Sequence, residues 1–140
     1  MNGCLACDLL EGRRTVPGGR VLDDEHWVAE HCVGSFGVGA FVAKTRAHRD
    51  SLWTMSDAEA AALGPFLRRL SRAIVEGLGA ERVYVTMWVD APPNHLHLVL
   101  WPRYPGDERG SELELRRAAA GIPSDEEMEE AARRVRECLR

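Results

Sequence analysis

The chain has 140 residues, a formal charge of −4 and 45% hydrophobic residues, which suits a single domain with a moderate core. The mild acidic balance and the scattered arginines provide no basic surface for nucleic acid, and no apolar run is long enough to span a membrane. The segment that begins at Met1 lacks the basic and apolar regions of a signal peptide, so we expect a cytoplasmic protein.

The first chemical signal is the pair Cys4 and Cys7, which are separated by two residues. In a cytoplasmic protein such a pair is typical of either a redox site or half of a zinc site. A redox pair is expected at the start of a helix that follows a strand, and no strand is predicted before Cys4. Zinc is therefore favoured over a redox role or an unspecialised surface pair, and it requires two further nitrogen or sulfur ligands.

Three short strands are predicted in the first third of the chain. Apolar residues between turn signals place them over 20–23, 27–32 and 40–44. The connection over 33–39 is rich in glycine, but its spacing matches neither the P-loop nor the dinucleotide-binding motif. The cysteine and histidines of this region are expected to be ordinary packed or exposed residues: His26, His31 and Cys32.

A long helix is predicted in the middle of the chain. Ser56 and Glu59 form a capping box, in which each side chain bonds the backbone amide of the other residue, and apolar residues follow at helical spacing. Pro65 removes one backbone donor and should kink the helix. Gly77 and Gly79 are expected to end it.

Two further strands, joined by a proline-containing turn, are predicted over 82–89 and 94–103. So short a connection requires the two strands to be antiparallel. Alternation along the second strand places His95, His97 and Val99 on one face and three leucines on the other. The leucines suit a core, whereas two adjacent imidazoles on the opposite face favour a chemical site over ordinary packing.

The last thirty residues are predicted to be helical. One helix is expected over 111–119, and a final helix starts at Ser124 with a capping box to Glu127. Together these elements predict an α+β fold, with an antiparallel sheet of about five strands, one long helix and a C-terminal helix. We expect a single domain with its core over 4–110 and a helical extension over 111–140.

The order of these motifs resembles the histidine triad superfamily. A CxxC pair is followed by a histidine ahead of a capped helix, and then by a His-x-His strand that ends in Pro102-Arg103. Counting back from that Pro-Arg pair aligns His95, His97 and Val99 with the three histidines of the family's signature. The resemblance covers about residues 4 to 110, and it implies the histidine triad fold and a homodimer.

The resemblance also implies a structural zinc site. Many bacterial members of the family bind zinc through the CxxC pair, the histidine before the long helix and the first histidine of the signature. The corresponding residues of this chain are Cys4, Cys7, His48 and His95. A site with four such protein ligands is closed, so it is structural rather than catalytic.

The family's nucleophile corresponds to His97. The resemblance implies a nucleotide hydrolase or nucleotidyltransferase, in which His97 attacks the α-phosphate of a nucleotide conjugate and forms a phosphohistidine intermediate. Val99 stands where the third histidine would donate a proton to the leaving group. The family's ribose-binding aspartate falls near Cys32, with Glu30 as the closest carboxylate, so adenosine specificity is not supported. The alternative is a catalytically degenerate zinc protein that binds nucleotides or has a regulatory role.

Overall fold

A computed structural model describes residues 3–139, so the predicted domain limits at 1 and 140 lie outside the described residues. In chain order the elements are α1 (Leu5–Leu10), β1 (Arg20–Asp23), β2 (Trp27–His31), β3 (Phe41–Thr45), a 3-10 turn (Leu52–Thr54), α2 (Asp57–Leu78), β4 (Arg82–Thr86), β5 (His97–Arg103), α3 (Ser111–Ala120) and α4 (Asp125–Glu137). The predicted α+β class is confirmed. Within the described range, no helix has the length and apolar character that crossing a bilayer requires.

The five strands form one sheet in the order β1-β2-β3-β5-β4. Every neighbouring pair is antiparallel, including the β4–β5 pair that was expected from the short connection. The histidine-bearing strand β5 therefore lies inside the sheet, between β3 and β4. In the β3–β5 ladder, Lys44 is directly opposite His97, and Val42 is directly opposite Val99.

The two faces of β5 have different surroundings, as the alternation predicted. Leu96, Leu98 and Leu100 belong to the main core, which α2 covers. Val99 and Trp101 belong to a smaller buried cluster on the opposite face. Full burial of a leucine side chain contributes about 1.5–3 kcal/mol, so the leucine face determines which way the histidines must point.

The start of α2 agrees with its prediction, and its end agrees at Gly79 but not at Gly77. Ser56 Oγ accepts from the Glu59 amide at 3.1 Å, and Glu59 Oε1 accepts from the Ser56 amide at 2.7 Å. The helix continues through Gly77 and ends at Gly79, which has a φ of 75°. A side chain at Gly77 would begin only 2.9 Å from the carbonyl oxygen of Arg134 in α4, so this glycine permits the close approach of two helices.

The structure corrects the predicted ends of the strands and adds one helix. β4 ends at Thr86 rather than at 89, and β5 begins at His97 rather than at 94. Several residues of the chain between them line a pocket instead of joining the ladder. Helix α1 was not predicted, since six residues are too few to show a helical period.

The C-terminal helices pack against the same core as the sheet. Ala131, Ala132 and Val135 of α4 join the main cluster beside α2 and β1. Arg117 of α3 is nearly buried, and its guanidinium donates to the carbonyl oxygen of Pro102 and, at 3.4 Å, to that of Phe36. The helical extension thus supports both the main core and the glycine-rich connection after β2.

Replacing Leu100 by alanine should destabilise the fold strongly, because its side chain is fully buried in the main core. We expect Leu100→Ala to lower the free energy of unfolding by about 2–5 kcal/mol, from lost apolar burial and the cavity left behind. Leu115→Ala, at an exposed position of α3, is the matched control and should change it by less than about 0.5 kcal/mol. Urea denaturation followed by circular dichroism measures both changes, and equal effects would contradict this placement of the core.

Candidate metal centre and adjoining pocket

Four potential metal ligands from distant parts of the chain meet at one point. Cys4 caps α1, Cys7 lies within it, His48 precedes α2 and His95 precedes β5. One nitrogen or sulfur atom from each residue lies within 4.8 Å of the others. The two cysteines and His95 are buried and His48 is half-buried, so the cluster is largely shielded from water.

The spacing of these atoms fits a tetrahedral zinc ion. The Nδ1 atoms of His48 and His95 are 3.1 Å apart, and Cys7 Sγ lies 3.2 Å from His48 Nδ1. Both sulfur atoms lie 3.5 Å from His95 Nδ1. Zinc bonds of about 2.3 Å to sulfur and about 2.0 Å to nitrogen place tetrahedral ligand atoms about 3.3–3.8 Å apart. The donor set Cys4, Cys7, His48 and His95 therefore forms a possible zinc site.

The surroundings of His95 prepare its ring for metal binding. Its Nε2 atom donates to the carbonyl oxygen of Thr45 at 2.7 Å, which leaves Nδ1 as the lone-pair atom that faces the cluster. Burial lowers the pKa of His95, so the imidazole is neutral, as a metal ligand must be. Burial and the neighbouring Cys4 thiol raise the pKa of Cys7, so this thiol keeps its proton until a cation replaces it.

His97 lies two residues beyond His95, at the first position of β5. Its Nδ1 atom donates to the backbone carbonyl oxygen of His95 at 2.7 Å. Since a carbonyl oxygen can only accept, the ring proton is on Nδ1 and the lone pair is on Nε2. The ring is half-buried and lines the pocket, outside the four-residue cluster.

The pocket beside His97 has a volume of about 260 Å³. Most of its wall is apolar and comes from α1, the glycine-rich connection, the sheet face and the turn before β5: Leu5, Ala6, Leu9, Val33, Phe36, Val42, Trp88, Val89 and Val99. The polar groups on its wall include Lys44, Asp90, Asn94 and His97. Such a combination, an apolar cavity with a few polar groups beside a free imidazole, is typical of a small-molecule site.

A buried ion pair lies on the sheet face below this pocket. Lys44 of β3 donates to the Glu30 carboxylate of β2, and their side chains are only 2% and 5% exposed. Lys44 lines the pocket and Glu30 does not. The sequence motifs assign no role to Lys44, although a lysine inside the otherwise uncharged segment Phe41–Thr45 is a visible signal.

The remaining histidines and the third buried cysteine lie outside the metal cluster. His31 donates from Nδ1 to the carbonyl oxygen of Cys32 at 2.8 Å and accepts at Nε2 from the amide of Gly39 at 2.9 Å. Both ring nitrogens are thus used to hold the two ends of the glycine-rich connection together. His26 is partly exposed beside Glu25, with 3.8 Å between the ring and the carboxylate. These positions agree with the expectation of ordinary packing or exposure.

Sequence comparisons and structure comparisons gave different results for this chain. No protein-family model matches the sequence, and no curated protein matches it significantly. A HIT-like protein from Bartonella henselae, involved in cell-cycle regulation, covers 99% of this chain and 98% of its own length, with a TM-score of 0.78 and 19% identity. This chain has the histidine triad fold.

Two other histidine triad structures superpose over almost the whole chain. A zinc-bound histidine triad protein from Mycobacterium smegmatis is 22% identical and covers 98% of this chain and 93% of its own, with a TM-score of 0.75. A hypothetical histidine triad nucleotide-binding protein from Sulfolobus tokodaii is 16% identical and covers 97% of this chain and 91% of its own, with a TM-score of 0.79. The predicted fold is thereby confirmed.

Zinc content tests the metal centre of this histidine triad fold. We expect the purified chain to contain about one zinc ion, held by the four clustered side chains. Cys4→Ser removes one soft ligand and should lower both the zinc content and the thermal midpoint. Cys138→Ser, at an exposed cysteine that caps α4, is the matched control and should change neither.

Elemental analysis and thermal denaturation of the two variants give the answer. Stoichiometric zinc in Cys4→Ser, or none in the unmodified chain, would contradict the assignment of this cluster as a zinc site.

Proposed function

We propose that this chain is a nucleotide hydrolase or nucleotidyltransferase that acts at the α-phosphate of a nucleotide conjugate through His97. The observation that carries the proposal is the 2.7 Å hydrogen bond from His97 Nδ1 to the carbonyl oxygen of His95, at the wall of the pocket. This bond keeps the ring proton on Nδ1 and leaves Nε2 as a neutral nucleophile.

The proposed reaction has two displacement steps at phosphorus. In the first, the Nε2 lone pair of His97 bonds to the α-phosphorus, and the leaving group departs with the electron pair of its bond to phosphorus. The nucleotidyl group is then held on His97 as a phosphohistidine. In the second, water or another acceptor attacks phosphorus, the electron pair of the P–N bond returns to Nε2, and the acceptor's proton passes to solvent.

The hydrogen bond of His97 also stabilises the first step. As Nε2 bonds to phosphorus, positive charge develops on the imidazole ring. The carbonyl oxygen of His95 already accepts from Nδ1–H and stabilises this charge without any rearrangement. His95 thus acts through its backbone on His97, while its side chain belongs to the metal cluster.

We assign the zinc site a structural role in this proposal. Four protein ligands leave no open position for a water molecule, so bound zinc would hold α1 against the strand that carries His95. Leu5 and Leu9 of α1 line the pocket, and their positions therefore depend on this attachment. His97 depends on it as well, because its hydrogen-bond acceptor is the carbonyl oxygen of His95, whose side chain belongs to the metal cluster.

A nucleotide is the ligand class that the pocket and the comparisons support best. The Sulfolobus tokodaii protein with the same fold is described as nucleotide-binding. Phe36 and Trp88 are aromatic side chains on the pocket wall and could contact a flat base. The homodimer and the cytoplasmic location, which the family resemblance and the sequence imply, complete the proposal.

Val99 favours a second candidate function. It lies two residues beyond His97 on the same face of β5, is 7% exposed and has no hydrogen-bond donor. A missing general acid typically lowers the rate about 10²–10⁴-fold when the leaving group needs a proton. The second candidate is therefore a degenerate zinc protein that binds a nucleotide, or has a regulatory role, without turning the nucleotide over.

Covalent labelling separates the two candidates. Brief incubation with nucleoside phosphoramidates, adenylated amines, dinucleoside polyphosphates and nucleotide sugars, quenched at alkaline pH, should add one nucleoside monophosphate to the chain. His97→Ala should show no added mass, because it lacks the attacking nitrogen. His26→Ala removes a histidine outside the pocket and should be labelled normally. Intact-mass spectrometry is the measurement.

The labelling experiment has two contradicting outcomes. Labelling of His97→Ala would exclude His97 as the nucleophile. If no compound gives an adduct or a product, the enzymatic function is excluded and the nucleotide-binding function is the candidate that stands.

Restoring a donor at position 99 should raise turnover selectively. We expect Val99→His to accelerate the turnover of conjugates with poorly activated leaving groups by about 10²-fold. Turnover of a nitrophenyl ester of a nucleotide should change little, because nitrophenolate leaves without a proton. Val42→His places an imidazole on the same sheet face of the neighbouring strand and is the matched control. Steady-state rates for both substrates are the measurement, and an equal gain in the two variants would show that position 99 is not special.

A further inference from the structure

Lys44 is a charged residue in the middle of an apolar sheet face. Its neighbours across the strands are Val28 in β2 and His97 in β5. Directly opposite residues of an antiparallel pair point to the same face, so the side chains of Lys44 and His97 lie side by side. The only lysine of the chain thus stands next to the proposed nucleophile.

The ammonium group of Lys44 has unused hydrogen-bonding capacity towards the pocket. A lysine has three N–H donors, and within residues 3–139 its one hydrogen-bond partner is the Glu30 carboxylate. Lys44 lines the pocket whereas Glu30 does not, so Lys44 is the member of the pair that a ligand in the pocket can contact. The remaining N–H groups can be offered to a ligand beside His97.

Stability alone does not explain this ion pair. Removing two charges from water is costly, and replacing a buried pair by apolar residues is often neutral or stabilising. Lys44 also forms part of the pocket wall, so the pair lies next to the pocket. Among the described residues, Lys44 is the one lysine or arginine on the pocket wall.

We propose that Lys44 binds the non-bridging oxygens of the α-phosphate next to His97. A compact ammonium is well suited to a phosphate as a point charge. Lys44 would supply a donor to the phosphate oxygens from the neighbouring strand, a task separate from the protonation of the leaving group that Val99 cannot perform. Glu30 neutralises the ammonium when no phosphate is bound. The inference rests on the proposed function, and it names the ligand class as nucleotides with an anionic α-phosphate.

The test compares binding of nucleoside monophosphates with binding of the corresponding nucleosides. Isothermal titration calorimetry on the zinc-containing chain gives both affinities, and their ratio measures recognition of the phosphate. The main variant is Lys44→Met/Glu30→Gln, because the single change Lys44→Met would leave a buried carboxylate unpaired. We expect its ratio to fall about ten- to hundredfold, with nucleoside affinity unchanged.

Two further variants separate phosphate binding from a structural role. Glu30→Gln keeps the ammonium and removes its counter-charge, so the ratio should stay the same or rise. Arg103→Met/Glu81→Gln removes another ion pair, whose atoms are 2.8 Å apart and which lies outside the pocket. This control should leave the ratio unchanged. If Lys44→Met/Glu30→Gln does not fold, the Glu30→Gln result decides alone, since a fall in its ratio would make the pair structural and overturn the inference.

The outcomes also distinguish this inference from the proposed function. An unchanged ratio in Lys44→Met/Glu30→Gln, or no preference for the monophosphate in the unmodified chain, would overturn the role of Lys44 even if His97 is labelled. A preference that depends on Lys44, without any adduct on His97, would support the inference and contradict the enzyme.

Discussion

Because successive side chains of a strand point to opposite faces, each residue around the start of β5 contributes either to the core or to the site. The buried leucines pack into the core that α2 covers, and this packing presents His95 and His97 to the other face of the sheet. The orientation of His97 is then completed by the backbone itself, since its acceptor is the carbonyl oxygen of His95. A shift of register by one residue would bury both imidazoles in the core and expose the leucines.

Local signals explain why most of the fold could be predicted from the sequence. The capping boxes at Ser56 and Ser124 are contained in four residues each, and both occur in the structure. Alternation within β5 likewise requires no knowledge of its neighbours. The features that were missed depend on partners far along the chain: Gly77 lies inside α2 because α4 approaches it, and Arg117 is buried by carbonyl groups from two other segments.

The candidate site likewise contains residues that the sequence could identify and residues that it could not. The four residues of the metal cluster were named from the motif order, and the structure brings them within reach of one ion. Neighbouring residues, by contrast, carried no motif. Lys44 meets Glu30 and stands beside His97 only through strand pairing, so its position became visible once the register of β2, β3 and β5 was known. The support of His95 by the Thr45 carbonyl oxygen is a backbone contact that no side-chain pattern can indicate.

The metal cluster has a further consequence for the unfolded chain. Cys4 and His95, whose side-chain atoms lie 3.5 Å apart in the fold, are separated by 91 positions in the sequence. A cation bound by both would close a loop that includes the four strands β1 to β4 and helix α2, and the conformational entropy lost on closing a loop grows with its length. An unfolded chain would have to meet that cost in order to bind the ion, whereas the folded chain has already closed the loop. The ion would therefore stabilise the fold by the difference between its affinities for the folded and the unfolded chain.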